Sequence, residues 1–150
     1  VRGYELRTEI RLPRPREEIF AFFADAGNLQ AITPPWLHFR ILTPMPLELK
    51  QGARLDYRLR LHGFPLRWKT EITVWDPPNR FVDEQIQGPY RLWVHEHTFE
   101  EVEGGTRVTD HVLYAVPFGA LAHWLLVDRD VRAIFQYRAE RLAERFGRGS

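Results

Sequence analysis

Residues 92–115 read LWVHEHTFEEVEGGTRVTDHVLYA, two alternating runs, Leu92 to Val102 and Thr106 to Ala115, that meet at Gly104-Gly105. Successive strand side chains point to opposite faces of a sheet, and a glycine pair between two such runs marks a hairpin. One face therefore collects Trp93, His95, His97 and Phe99 from the first run, with Val108, Asp110, Val112 and Tyr114 from the second. His111 falls on the opposite, surface side. Aromatic area and titratable groups share the inner face, which suits either a filled core or the wall of a pocket.

Upstream, the same period of two continues. His38 to Leu42, Arg54 to His62, Leu66 to Trp75 and Phe81 to Gln87 read as strands, separated by Gln51-Gly52, by 62–65 (HGFP), by 76–79 (DPPN) and by Gly88-Pro89. These separators are turn chemistries. For Arg54 to His62 the inner list is Leu55, Tyr57, Leu59 and Leu61, and for Leu66 to Trp75 it is Leu66, Trp68, Thr70, Ile72 and Val74. In Phe81 to Gln87 the sets Phe81, Asp83, Gln85 and Val82, Glu84, Ile86 compete for the interior.

At the start of the chain, Tyr4 to Leu12 alternates as a half-buried strand. Pro15 opens a helix with Glu17 and Glu18 in its first turn, and Ile19, Phe20, Phe22 and Phe23 form its apolar stripe. Asp25 caps a second short helix, Ala26 to Ile32, which stops before Pro34-Pro35. At the other end Pro117 and Gly119 close the last strand, and Ala120 to Phe146 runs uninterrupted for about seven helical turns. Leu121, Trp124, Val131, Phe135, Leu142 and Phe146 fall on one face of it, which needs a sheet to lie on. Arg148 to Ser150 reads as a fraying tail.

Composition narrows the function classes. A chain of 150 residues has room for one domain with one sizeable core, so 1–150 is read as a single domain. Its 21 basic and 20 acidic residues leave a net charge of +1, no footprint for nucleic acid. No cysteine is present, which removes disulfides and thiolate metal sites. The longest apolar stretches fall far short of the ~20 residues that span a bilayer, and no signal peptide opens the chain. A cytoplasmic protein is expected, monomer or homodimer, with no stable membrane insertion and no nucleic-acid partner.

Several blocks occur in a telling order: PREEIFAFF at 15–23 with Asn28-Leu29 and 33–35 (TPP), QIQGPYRLW at 85–93, HEHTF at 95–99, GTRVTD at 105–110, Tyr114, 117–119 (PFG), and FQYR at 135–138. Together they resemble the helix-grip fold of the START-related, birch-pollen-allergen-like and polyketide cyclase/dehydrase superfamily (SRPBCC), in its bacterial cyclase/dehydrase-like branch. The resemblance spans almost the whole chain. It implies an α+β START-like ligand-binding domain: a curved seven-stranded antiparallel sheet, two short helices after the first strand, and a long C-terminal helix packed over the sheet. It also favours Phe81, Asp83 and Gln85 as the inward set. The superfamily includes lipid carriers, hormone receptors, quinone-binding proteins and aromatase/cyclase enzymes, and fold does not choose among them.

From these faces the expected ligand-binding residues are Tyr57, Leu59, Trp68, Thr70, Phe81, Asp83, Gln85, Trp93, His95, His97, Phe99, Asp110, Val112 and Tyr114, joined by Phe118 and Trp124 at the helix end. Tyr57, Trp68, Trp93, Phe99 and Tyr114 are the aromatic walls. His95 and His97, two apart on one strand, admit three readings: polar groups satisfied by Asp110, Gln85 or water, an acid/base pair, or two ligands of a metal with Asp110 or Asp83 as the third. No metal-ligand spacing motif supports the last, so no metal and no cofactor are expected. Asp110 either serves the site or forms a structural ion pair with Arg91 or Arg138.

The loops at 63–65 (GFP) and 117–119 (PFG) read either as lips of a cavity mouth or as plain turns with an apolar anchor. Leu121, Trp124, Leu125 and Leu126 make the helix start apolar on several sides, as for an entrance, a brief membrane contact or a dimer surface. The leading function is binding, and possible transport or sequestration, of a hydrophobic small molecule: a lipid, isoprenoid, quinone or polyketide-like compound. The alternatives are a cyclase, aromatase or dehydratase using His95, His97 and Asp110 as acid/base groups, and a protein-interaction module with a vestigial cavity.

Overall fold

Period-two alternation produces every strand of the sheet. In a computed structural model that describes residues 3–61, 63–116 and 128–148, β1 (Gly3–Leu12) is followed by α1 (Arg16–Ala24) and two 3-10 segments, Ala26–Ile32 and Pro35–Leu37. Then come β2 (Arg40–Ile41), β3 (Arg54–Leu61), β4 (Phe64–Asp76), β5 (Arg80–Gln87), β6 (Leu92–Val102), β7 (Gly105–Ala115) and α2, described over Asp128–Phe146. The order across the sheet is β1-β7-β6-β5-β4-β3-β2, with every neighbour antiparallel. This is the helix-grip arrangement. The first strand closes against the last, and a Cβ on Gly105 would collide with the Leu12 carbonyl, so the start of β7 needs glycine to approach β1 this closely.

Three local features differ from the pattern in the sequence. The second short helix, Ala26–Ile32, is 3-10 rather than α; Asp25 Oδ1 accepts from the Gly27 N–H at its start, and Thr33 Oγ1 donates to the Leu29 carbonyl at 2.6 Å at its end. β2 covers two residues instead of His38 to Leu42. His38 takes a left-handed φ of 49°, and the Leu42 and Thr43 N–H groups both turn onto the Asp56 carbonyl, which ends the ladder. In β4 the register shifts between Ile72 and Val74, so one extra residue, Thr73, reverses the alternation. Trp75, not Val74, then stands across from Phe81 and packs on Phe20 with ring centroids 5.0 Å apart.

α2 buries Val131, Phe135, Arg138, Leu142 and Phe146, one stripe at spacings of three and four. Its C-terminal end is filled by α1: Phe22 meets Phe146 edge-on at 5.4 Å, and Ile19, Phe20 and Phe23 join Leu12, Phe99 and Leu142 in one cluster. Toward its N-terminal end Val131 and Phe135 pack on Leu6, Val112 and Tyr114. Each such side chain contributes about 1.5–3 kcal/mol by leaving water. Between these two clusters Arg138 reaches the sheet at His97 and Asp110. No helix among the described residues is long and apolar enough to cross a membrane. The helix start at 120–127, with Leu121, Trp124, Leu125 and Leu126, and the loop with Phe118 lie outside the described residues.

Candidate functional site: an apolar cavity with a buried charge cluster

Sheet curvature holds β3, β4 and β5 away from α2 and leaves a cavity of about 180 Å³. One water needs ~10–15 Å³ by the same kind of measure, so the space is far more than a packing defect. Of the residues singled out in the sequence, Tyr57, Leu59, Trp68, Thr70, Phe81, Asp83, Trp93, His95 and His97 line it. Five others do not. Phe99 is 2% exposed in the α1 core, and Val112 and Tyr114 sit in the cluster beneath the N-terminal half of α2. Gln85 turns to the next loop, its amide donating to the Tyr90 carbonyl at 2.7 Å and its oxygen accepting from the Tyr90 N–H at 3.1 Å. A Cβ on Gly88 would overlap that side chain. Asp110 lies behind the histidines. Phe118 and Trp124 fall outside the described residues.

Further lining comes from residues outside the expected site, among them Phe22 and Phe23 of α1, Asn28 and Leu29 of the first 3-10 segment, Leu37, Phe39 and Tyr90, and Ile134, Phe135 and Arg138 of α2. Arg138 had a visible signal, being a charge at the third position after Phe135 on an otherwise apolar stripe. The apolar ones carried none, since an apolar side chain that borders a void has the same residue type as one that fills it.

At one corner of the cavity five ionisable groups meet. His95 Nε2–H donates to Asp110 Oδ1 at 2.8 Å, and His97 Nε2–H donates to Asp83 Oδ2 at 2.6 Å. The Arg138 guanidinium donates from one nitrogen to His97 Nδ1 and to Asp110 Oδ1, both at 3.1 Å, and lies over the Phe23 ring at 5.1 Å. The two imidazoles stack at 3.7 Å, and His97 stacks on Phe81 at 4.1 Å. Arg138, rather than Arg91, is the ionic partner of Asp110.

The hydrogen bonds fix the tautomer of His97. Nδ1 accepts from Arg138, so the single N–H of a neutral ring is on Nε2. Protonating Nδ1 would set an N–H against a guanidinium N–H. Accordingly His97 is pushed down to about 4, first by burial and then by the field of His95, with Asp83 opposing. Burial alone would raise Asp110; the Arg138 charge, the His95 hydrogen bond and the fields of both histidines outweigh it and hold the carboxyl well below the usual range. Asp83 is also lowered: burial raises it, while the His97 hydrogen bond and the fields of His95, His97 and Arg138 more than compensate. Tyr57 is raised well above its ordinary value, chiefly by burial and then by Asp83, so it stays a neutral phenol.

One donor set could hold a metal. Ligand atoms of Asp83, His95 and His97 all lie within 4.8 Å of one another. Recruiting His97 through Nε2 would break its bond to Asp83 and move its proton to the side facing Arg138.

The family model described as "Polyketide cyclase / dehydrase and lipid transport" matches residues 12–146. The chain belongs to this family. Its place in the SRPBCC superfamily follows, and with it a fold that binds hydrophobic ligands. Among solved structures the chain is similar to protein Ms6760 from Mycobacterium smegmatis, with 22% identity and a TM-score of 0.69 over 92% of this chain and 87% of that one. Protein CV1439 from Chromobacterium violaceum matches with 12% identity and a TM-score of 0.76, over 97% and 98% of the two chains. The major latex-like protein 151 from Panax ginseng matches with 12% identity and a TM-score of 0.70, over 96% and 97%. At these identities the likeness is one of fold alone. Among curated proteins nothing matches the chain.

Proposed function

We propose that the protein binds a hydrophobic small molecule, a lipid, isoprenoid, quinone or polyketide-like compound, in the cavity between the sheet and α2, and that it shields or carries that molecule through water. One observation carries this reading: a void of about 180 Å³ walled by Tyr57, Trp68, Trp93 and Phe135, with Asp83, His95, His97 and Arg138 gathered on its lining. Apolar walls supply affinity at roughly 25 cal/mol per Å² of guest surface removed from water, and a few polar groups orient the guest. Native mass spectrometry of the purified protein, followed by titration of apolar ligands against the fluorescence of Trp68 and Trp93, tests it. A copurified or titratable 1:1 apolar guest is the expected result, and the absence of any such guest overturns the reading.

A second reading, acid/base chemistry on a carbonyl-rich substrate as in a cyclase or dehydratase, is favoured by the His95–Asp110 dyad. Asp110 orients the ring through Nε2, while Nδ1 has no hydrogen bond among the described residues and lies 3.7 Å from Asp83 Oδ2. Replacing His95 with Gln separates the two readings: a binding protein keeps its guest and shows no turnover to lose, whereas an enzyme loses turnover on a guest it still binds.

A further inference from the structure

We propose that the outer face of β2, β3 and β4, at the end where β3 gives way to β4, docks on the surface of an anionic phospholipid bilayer, with Phe64 entering the headgroup layer. This goes beyond the binding of a guest, because it assigns a second surface on the side of the sheet turned away from the cavity.

Register places like charges side by side on that face. Arg58 stands directly across from Arg67 in one ladder and from Arg40 in the next, and Arg60 follows two residues nearer the turn. Like charges opposite one another destabilise a sheet. Arg67 pairs with Asp56 at 2.9 Å, and Lys69 stands across from the same acid. Arg40, Arg58 and Arg60 are exposed and form no ion pair among the described residues. Arg40, Arg58, Arg60, Arg67 and Lys69 are thus set against Asp56 alone. The next outward-facing rung, away from the turn, holds Glu71 and Glu84, and Glu71 is taken by Arg54 at 2.9 Å. The whole chain carries only +1, so the basic strip is a local asymmetry.

Apolar side chains gather at the same end of the sheet. Phe64 opens β4, Ile86 lies near the end of β5, Leu92 opens β6 and Leu113 lies near the end of β7, and in an antiparallel sheet these positions share one edge. They keep between 41% and 71% of their surface, Phe64 the most. Exposed apolar groups beside unneutralised arginines fit a membrane interface, where the former enter the headgroup layer and the latter meet lipid phosphate. Nucleic acid would use the arginines and leave the apolar set in water. A second copy of the chain fits less well, because the one acid within the strip is already held by Arg67. The same strands carry the cavity wall on their other face: Tyr57 and Leu59 alternate with Arg58 and Arg60, and Trp68 lies between Arg67 and Lys69. Docking therefore brings that wall within one sheet's thickness of the bilayer.

Flotation of the protein with vesicles tests this. Vesicles of phosphatidylcholine with about a quarter phosphatidylglycerol should bind it at least about tenfold tighter than phosphatidylcholine alone, and about 1 M salt, where screening shortens to ~3 Å, should release it. The double variant Arg58→Gln/Arg60→Gln should bind roughly 25-fold more weakly, about fivefold for each charge removed, and should melt no lower than the wild type because it relieves like-charge repulsion. Arg11→Gln, an equal loss of charge per residue at the far end of the sheet, should change binding by less than about twofold. Phe64→Ser should weaken binding severalfold. Equal binding to both kinds of vesicle, or binding to neither, overturns the proposal and leaves the cavity's function untouched. Full binding by the double variant, or an equal loss in Arg11→Gln, contradicts the face named, and full binding by Phe64→Ser contradicts its entry into the headgroups. Tighter binding to a DNA duplex than to the anionic vesicles at equal phosphate would assign the strip to nucleic acid instead.

Discussion

Asp110 stands directly across from His97 in the β6–β7 ladder, yet its carboxylate accepts its hydrogen bond from His95, at 2.8 Å. The other carboxylate does the reverse: Asp83 is in register with His95 across β5–β6 and accepts from His97. The two histidines, stacked at 3.7 Å, thus each lean to the diagonal acid. Arg138 from the helix locks the crossing by donating to one member of each diagonal, His97 and Asp110. The cluster behaves as one unit, and single substitutions in it are expected to be non-additive.

Arg138 balances charges that have no access to water. Arg138→Met should destabilise the fold by about 3–5 kcal/mol, because Asp110 is left as a buried carboxylate with only His95 opposite. Combining it with Asp110→Leu should recover part of that loss. Urea unfolding of the wild type, both single variants and the double variant measures the coupling, and additivity of the two losses would contradict a shared network.

His97 gives the stability a definite pH dependence. Its folded value of about 4 lies below the ~6.5 of the unfolded chain, so below pH 6.5 the unfolded state takes up a proton that the native state refuses. Stability should therefore fall as pH drops from about 6.5 to about 4, by about 3 kcal/mol in total. Further acid adds the loss of Asp83 and Asp110, whose lowered values stabilise the fold above the unfolded carboxylate range and cease to do so as each is protonated. Urea midpoints between pH 7 and pH 4.5 that stay level would rule out a neutral buried His97.

Filling the cavity should separate binding from folding. Ile134 lines the void from α2 and is only partly buried, so Ile134→Trp can project into it with little overpacking. Apolar ligands should lose at least tenfold in affinity while the thermal midpoint changes by a few degrees at most. Retained affinity would place the binding site elsewhere.

The extra residue in β4 lies between Ile72 and Trp75. Deleting Thr73 removes the extra residue but leaves Ile72 and Trp75 two apart, so strict alternation keeps Trp75 inward on Phe20 and Phe81, and the cost should stay well below the ~3–5 kcal/mol of truncating a buried aromatic. Chemical denaturation of the deletion variant checks this, and a loss of that size would show that Trp75 leaves the core when the extra residue is removed.

The architecture was legible because period two and period 3.6 are written in residue type. Most strand runs and the stripe Val131, Phe135, Leu142, Phe146 follow from them directly, while the bounds of the Ala26–Ile32 segment came from the Asp25 cap and the Pro34 stop. The β4 bulge was not legible, since Thr73 differs in no way from a strand residue in register, and Val74 was accordingly expected inside. For the site, the sequence indicated that titratable groups share a face with aromatics, and Asp83, His95 and His97 do meet. It could not indicate which inward residue borders space. Phe99 and Trp93 lie on the same face of β6, but α1 covers the first and not the second. The crossed pairing was also hidden, because register predicts neighbours while hydrogen bonds are chosen by side-chain lean.

The most direct test is a crystal structure of the protein grown with decan-1-ol. Density for the alkyl chain between Tyr57, Trp68 and Phe135 is the predicted result. Side chains closed over that space with no guest density, at ligand concentrations far above those that saturate solution binding, would contradict the account.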